Sequence, residues 1–191
     1  MLKKAILVFL IIPVFQLNSQ IPEDDIQVKN LYTFYKWYIQ KSNSLETTGF
    51  MPKVEKGSKG YALLGVDTYC AILTHSGYFT NRFIESEKTR LKPCADQIAK
   101  MKYSTYEKMS MEMGGLPNEC NCFYYDRWFN AQDNPDRIRV TGTKSLGENS
   151  VEATFVFETG DEKNVSQWDT KCKAIMELES GSWKITGLEF N

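Results

Sequence analysis

Histidine is almost absent from this sequence, which contains a single one, His75, among 191 residues. A metal site built from several imidazoles is therefore excluded, and a Ser-His-Asp or Cys-His nucleophilic centre is disfavoured. An excess of either charge is lacking as well, because 23 Lys and Arg residues stand against 24 Asp and Glu residues. The charge balance therefore gives no indication of a nucleic-acid partner, since nucleic-acid binders carry a basic patch or domain.

Repeats and low-complexity tracts are also missing, and only the first residues form a long apolar run. Hydrophobic residues make up 42% of the chain and aromatic residues 13%, which is enough for a buried core and excludes a disordered protein. The length fits one domain. We therefore predict a single globular domain over residues 20–191.

The first 19 residues have the three parts of a secretory signal. Lys3 and Lys4 precede an apolar run from Ala5 to Leu17, and the small residue Ser19 stands before the expected cut. The run is shorter than the roughly 20 residues of a membrane span, although an uncleaved membrane anchor is the alternative. The prediction is an exported protein, periplasmic or extracellular, that begins at Gln20 and has no transmembrane span after cleavage.

Five cysteines lie in the predicted mature chain, and export would allow disulfides to persist. Cys120 and Cys122 are separated by one residue, which is not the spacing of a redox or zinc motif. We expect Cys94 to pair with one member of this couple. Cys172 is expected to point inward, where it either takes the other member or remains a small buried hydrophobe. Cys70 is then the best candidate for an unpaired thiol.

The first half of the mature chain has helical periodicity. Apolar residues predict an amphipathic helix from about Asp24 to Lys41, capped by Asp24, with Leu31 and Tyr35 buried. Residues 41–60 are polar and predict a loop.

Two further helices are expected after this loop. Asp67 is expected to cap a short helix over residues 68–75, ended by Ser76-Gly77. Thr80 is expected to cap another, which Pro93 breaks or kinks and residues 95–101 resume. Residues 103–134 predict an irregular segment.

From Arg137 onward the apolar pattern changes to a period of two. Four alternating runs predict four strands, with a tight turn at Gly181-Ser182 between the last two. Helices followed by consecutive strands are typical of the α+β class, here N-terminal helices packed on an antiparallel sheet of about four strands with one buried face.

Several polar and aromatic residues are candidates for lining a ligand pocket: Tyr35, Tyr38, His75, Trp128, Gln132 and Asp133. A pocket of this kind presents an apolar surface with a few polar tips. The polar segment from Asp126 to Asp136 could also offer oxygen ligands to calcium, but it lacks EF-hand spacing, and turn formation by its Asp and Asn side chains is the favoured interpretation. No metal site and no cofactor is predicted.

Two stretches carry a resemblance to a known family. The helix sequence from Val28 to Tyr38 resembles the start of the exported bacterial domain-of-unknown-function family 3828. The pattern Asp126-x-x-Phe129-x-Ala131-Gln132-Asp133 and the final run Gly181-Ser182-Trp183-Lys184-Ile185 are similar to the second half of that family. The resemblance implies a nuclear-transport-factor-2-like (cystatin-like) fold, in which a curved antiparallel sheet wraps a long N-terminal helix and can leave a pocket. It implies no activity, and the catalytic pairings of enzymes with this fold cannot be matched to residues here.

Three hypotheses for function follow. The favoured one is a non-catalytic exported module that binds a small apolar ligand or a protein partner. The second is an immunity-type or inhibitor protein that neutralises an envelope toxin or hydrolase. The third is a pocket enzyme that uses His75 or an acid such as Asp67.

Overall fold

The computed structural model describes residues 21–44, 50–112, 115–123, 126–161 and 163–191. The predicted signal peptide, its cleavage site and Gln20 lie outside the described residues, and so does the side chain of Cys122. In the part of the chain that is described, no helix has the length and apolar character needed to cross a membrane.

Helices occupy the first part of the described chain and an antiparallel sheet occupies the last part, which confirms the α+β prediction. The elements are α1 (Lys29–Asn43), β1 (Val54–Lys56), β2 (Ala62–Leu64), α2 (Val66–Ser76), α3 (Asn81–Ile98), α4 (Tyr103–Ser110), a 3₁₀ helix (Asn118–Phe123), β3 (Arg137–Gly147), β4 (Ser150–Thr159), β5 (Ser166–Glu179) and β6 (Ser182–Phe190).

The four long strands pair in chain order, β3-β4-β5-β6, and every pairing is antiparallel. The turn between β5 and β6 is centred on Ser180 and Gly181 rather than on Gly181-Ser182. Both of its central residues have positive φ, 54° and 79°, as a two-residue hairpin turn requires. The predicted turn was therefore displaced by one residue.

Helix α1 crosses the inner face of this sheet, because it contacts both of the outer strands, β3 and β6. Leu31 and Tyr35 are fully buried there, as the apolar spacing predicts. The helix begins later than predicted, at Lys29, and no side chain caps it. The preceding residues form turns in which the Asp25 carbonyl accepts from the N–H groups of Val28 and Lys29, so Asp24 is not the cap.

Helices α2 and α3 follow the sequence pattern with two differences. Asp67 lies inside the first turn of α2, where Gly65 takes the cap position, while Gly77 ends the helix in the left-handed conformation. Thr80 caps α3 through its hydroxyl, which accepts from the N–H of Phe83 at 3.2 Å. Pro93 does not break α3, and the same helix buries residues on both sides of the proline.

A smaller second core joins the elements that the sequence pattern missed. It contains buried side chains of β2, the end of α3 and the 3₁₀ helix, and Tyr103 and Tyr106 of α4 pack against it. Strand β1 of the short hairpin lies within the predicted loop 41–60, β2 follows directly after that loop, and α4 lies within the predicted irregular segment. Short elements of this kind form because packing on a neighbouring core stabilises them.

Within this second core, the Cys94–Cys120 disulfide joins the 3₁₀ helix to α3, with the two Cα atoms 4.8 Å apart. The expectation that Cys94 pairs with one member of the Cys120/Cys122 couple is confirmed. Cys70 and Cys172 are both unpaired and buried. Cys172 is therefore the small buried hydrophobe of the two alternatives, and Cys70 is an unpaired thiol as expected.

Candidate functional site

Three of the predicted pocket residues lie together between α1 and the sheet, but the space around them is filled. Tyr35, Tyr38 and Trp128 are nearly or fully buried in the main core. Phe34 and Phe50 pack against Trp128 with ring centroids 5.1 Å and 5.8 Å away. An aromatic cluster of this density contributes stability through burial and edge-on ring contacts.

The polar tips of these three residues are bonded to the chain itself. Tyr35 donates to the Trp128 carbonyl at 3.0 Å, and Tyr38 donates to Asp126 Oδ2 at 2.6 Å. The indole N–H of Trp128 donates to the Phe50 carbonyl at 2.8 Å. Burial, followed by the surrounding charges, raises the pKa of Tyr35 well above its ordinary value. The hydroxyl therefore stays protonated as a structural donor.

The other three predicted pocket residues, His75, Gln132 and Asp133, are exposed and are not part of this cluster. His75 Nδ1 lies 2.7 Å from the carbonyl oxygen of Ala71, one turn earlier in α2. The structure therefore separates the predicted set into a buried aromatic group and isolated surface residues.

Asp126 forms a local turn in the segment from Asp126 to Asp136, which the sequence suggested as a source of oxygen ligands for calcium. Its Oδ1 atom accepts from the N–H groups of Trp128 and Phe129 at 2.8 Å and 3.1 Å. This is the local turn chemistry that the sequence favoured. Among the described residues, no group of three or more His, Cys, Asp or Glu side chains is arranged to hold a metal ion.

Two buried carboxylates have strong partners. Glu87, 1% exposed, accepts from Arg90 and Arg127 and also from the hydroxyl of Tyr69, at distances between 2.6 Å and 3.1 Å. Burial alone would raise the pKa of Glu87, but hydrogen bonds and charges from the two arginines outweigh it, and the pKa is lowered.

Glu158 repeats the arrangement on the sheet. It accepts from Arg137 at 2.9 Å and from Arg139 at 2.6 Å. Burial acts to raise the pKa of Glu158, but the two arginines lower it. Both carboxylates are therefore held ionised by paired cations, which suits a structural ion cluster and does not provide a proton donor near neutral pH.

A surface groove runs along the outer side of α1, and we call it the α1 groove. It consists of two adjoining cavities of about 390 Å³ and about 540 Å³. The smaller cavity lies between α1 and β3, and the larger one extends along α1 toward Tyr78. Both are lined by Glu23, Tyr32, Lys36 and Gln40. Volumes of this size are typical of binding sites.

Lys36 lies at the junction of the two cavities and is exposed. No ion-pair partner of its ammonium is found in the described part of the chain. Arg137 lines the same groove, but its guanidinium is engaged by Glu158. Glu23, Asp24 and Asp136 also line the groove, so its charge is mixed. Lys36 is the cation at its centre that can pair with a carboxylate from outside.

The floor of the smaller cavity is the edge of β3, where Ile138 lies. Two residues further along this edge, at Val140, the N-terminal segment of the chain contacts β3. Ile21 donates to the Val140 carbonyl at 3.2 Å. The Tyr32 hydroxyl accepts from the Val140 N–H at 2.9 Å and donates to the Ile21 carbonyl at 3.0 Å. The edge therefore already binds the N-terminal segment at Ile21, beside the groove.

Sequence reasoning missed this groove. In the sequence, the helical spacing places Tyr32 on the apolar face of α1 and Lys36 on its polar face, and the alternation after Arg137 makes Ile138 a core residue. The exposed lysine opposite the apolar face was the only available signal, and it is common to all amphipathic surface helices.

Comparisons with known proteins do not extend this description, because no protein-family model, curated protein or solved structure matches the chain. The resemblance to domain-of-unknown-function family 3828 stays a prediction.

Proposed function

We propose that this protein is an exported, non-catalytic module that binds a segment of a protein partner in the α1 groove. The observation that carries the proposal is the position of Lys36, a cation without a partner in the described chain, in a groove that runs beside the edge of β3. A carboxylate on an incoming segment would pair with this lysine.

The filled interior favours a partner at the surface over a small apolar ligand inside the fold. Tyr35 and Trp128, which a hollow fold would present to a ligand, pack against other aromatic rings and bond the chain. An internal ligand would have to displace these side chains. A groove that is already open requires no such rearrangement.

The chemistry of the titratable groups supports binding rather than catalysis. A catalytic acid or base needs a pKa near the working pH, whereas Glu87 and Glu158 have lowered pKa values. His75 is exposed and bonds its own helix, so the pocket-enzyme alternative gains no support from it. The immunity or inhibitor hypothesis is a special case of partner binding and stays open.

The proposal also includes export from the cell and membership of a fold class. Export is supported by the signal-like sequence of the first 19 residues and by the Cys94–Cys120 disulfide, which oxidising compartments favour. Membership of the nuclear-transport-factor-2-like class is supported by a helix lying across a four-stranded antiparallel sheet.

Selection from a phage-displayed library of random linear dodecapeptides tests the binding proposal. Residues 20–191 serve as bait, and we expect enriched peptides that carry Asp or Glu. Lys36→Glu should weaken their binding at least tenfold. The matched control is Lys59→Glu, the same charge change at an exposed turn between β1 and β2, which should have no effect. An absence of enriched peptides, or equal effects of the two variants, would overturn the proposal.

A further inference from the structure

The two outer edges of the four-stranded sheet differ in how many of their backbone groups are hydrogen-bonded by neighbouring segments. The edge of β6 is paired locally, because Thr80 donates to the Ile185 carbonyl at 3.0 Å and Ile185 donates to the Tyr78 carbonyl at 2.8 Å. The edge of β3 is paired only at Val140, by Ile21 and the Tyr32 hydroxyl, within the described residues. An uncovered strand edge is a template for another extended segment.

Register shows which backbone groups of β3 face this edge. In an antiparallel pair, successive residues direct their N–H and C=O groups alternately toward and away from the partner strand. Val140 directs both groups away from β4, toward Tyr32 and Ile21. The pairing is regular from Arg137 to Val140. Ile138 therefore directs its N–H and C=O groups the same way, into the α1 groove.

The N-terminal segment stops one pair before this position. If it continued antiparallel to β3, Glu23 would lie opposite Ile138. Instead the chain turns, with the Asp25 N–H donating to the Pro22 carbonyl at 3.1 Å. Within the described residues, the N-terminal segment therefore hydrogen-bonds β3 at Val140 but not at Ile138.

The remainder of β3 is poorly suited to pairing. Its register shifts between Val140 and Gly142 and again between Ser145 and Gly147, and Lys144 is exposed between the two shifts. Bulges and lysines are devices that protect edge strands from association. An added segment is therefore confined to the regular part of the edge at Ile138.

We infer that the partner segment binds in extended form at the edge of β3, where one of its residues exchanges two backbone hydrogen bonds with Ile138 and an acidic side chain pairs with Lys36. This inference rests on the proposed function and specifies its binding mode. It identifies the occupant as an extended peptide with a carboxylate side chain, recognised by strand addition. At the adjacent Val140, this edge already binds the backbone of Ile21, directly through one hydrogen bond and indirectly through the Tyr32 hydroxyl.

The probe is an acidic dodecapeptide obtained by the selection described above, prepared in versions N-methylated at one position at a time. N-methylation removes one backbone donor, so a single position should lose at least tenfold in affinity while the positions on either side of it change little. Binding should also slow hydrogen exchange of the Ile138 amide at least tenfold, without slowing exchange of the outer-surface Lys171 amide beyond twofold. Exchanging the acidic peptide residue for Lys should restore binding to Lys36→Glu.

The outcomes separate the two proposals. A peptide that binds and responds to Lys36→Glu, but tolerates N-methylation everywhere and leaves the Ile138 amide unchanged, overturns strand addition and leaves the proposed function standing. Failure of the library to yield any Lys36-dependent peptide overturns both.

Discussion

The Tyr32 hydroxyl stands between the Val140 N–H and the Ile21 carbonyl, accepting from the first at 2.9 Å and donating to the second at 3.0 Å. A side chain of α1 thereby takes the place of one backbone hydrogen bond between the N-terminal segment and the sheet. Tyr32 also lines both cavities of the α1 groove, so the same side chain contacts the N-terminal segment, the edge of β3 and the groove.

Tyr32→Phe should therefore lower stability and loosen the N-terminal segment. The Val140 N–H is buried, and leaving a buried donor unpaired costs about 1–3 kcal/mol. Urea unfolding measures the loss, and hydrogen exchange of the Val140 amide should become faster. Tyr61→Phe, at an exposed tyrosine, is the control and should change the free energy of unfolding by less than about 0.5 kcal/mol. Equal stability of the two variants would contradict the bridging role.

Leu31→Asp should prevent folding. Leu31 is fully buried, so the change forfeits roughly 1.5–3 kcal/mol of apolar burial and places an unpaired carboxylate in the core. Lys36→Asp changes an exposed position of the same helix and should shift the melting temperature only slightly. Thermal unfolding followed by circular dichroism compares the two, and similar mild effects would be incompatible with α1 lying against the sheet.

The double substitution Cys94→Ala with Cys120→Ala should destabilise the protein by roughly 3–4 kcal/mol, because it removes the constraint on a loop whose ends are 26 residues apart. Peptide mapping without reduction should recover the Cys94–Cys120 pair from the exported protein. Cys70→Ala alters an unpaired cysteine and should cost much less. Cys94 recovered as a free thiol in folded, exported protein would contradict this pairing.

Glu87→Gln should lower stability at neutral pH by about 3–5 kcal/mol, the usual effect of removing one partner from a buried ion pair. Since the folded-state pKa of Glu87 is lowered, its contribution is present above the ordinary value of 4.5 and is lost as the pH falls through the folded-state pKa. Denaturant unfolding between pH 2 and pH 7 should therefore show a weaker pH dependence in Glu87→Gln than in the wild type, and the difference should appear below about pH 5, where carboxyl groups titrate.

The control for Glu87 is Glu85→Gln, at an exposed glutamate of the same helix. It should leave nearly unchanged both the free energy of unfolding at neutral pH and its decrease at acid pH. If it reproduced the Glu87 profile, the acid sensitivity would arise from general charge and not from the buried cluster.

Protein collected after export should begin at Gln20. The Lys3-Lys4 pair, the apolar run and Ser19 motivate this expectation. Intact-mass spectrometry decides it, since a mass that includes Met1 would contradict both the signal peptide and the argument from export to disulfides.

The strands and α1 could be predicted because their burial follows a simple period. Val151, Ala153 and Phe155 alternate with polar residues on β4. Leu31 and Tyr35 fall on one helical face. Helix α4 was missed although Tyr103 and Tyr106 have helical spacing, because one pair of aromatic residues in eight is a weak signal and the second core supplies the stabilising contacts.

The candidate site was harder to predict than the fold. Tyr35, Tyr38 and Trp128 do lie together, but the sequence could not show that Phe50 and the Asp126 turn occupy the space and satisfy the polar atoms. The groove depends on which strand lies at the sheet edge and on where the chain leaves that edge. Both depend on how the strands pair in the folded protein, which the alternation of apolar and polar side chains does not reveal.

The order of the elements along the chain has a consequence for how this protein acquires its structure. Helix α1 is made first, yet Asn30 bonds the Trp183 carbonyl 153 residues later, and Tyr35 bonds the Trp128 carbonyl 93 residues later. Contacts between distant parts of a chain slow folding, toward times on the order of milliseconds to seconds. The 26-residue loop closed by the Cys94–Cys120 disulfide is local and can form earlier. A nascent chain therefore cannot complete the burial of α1 until its last strand has been synthesised, because α1 contacts β6 as well as β3.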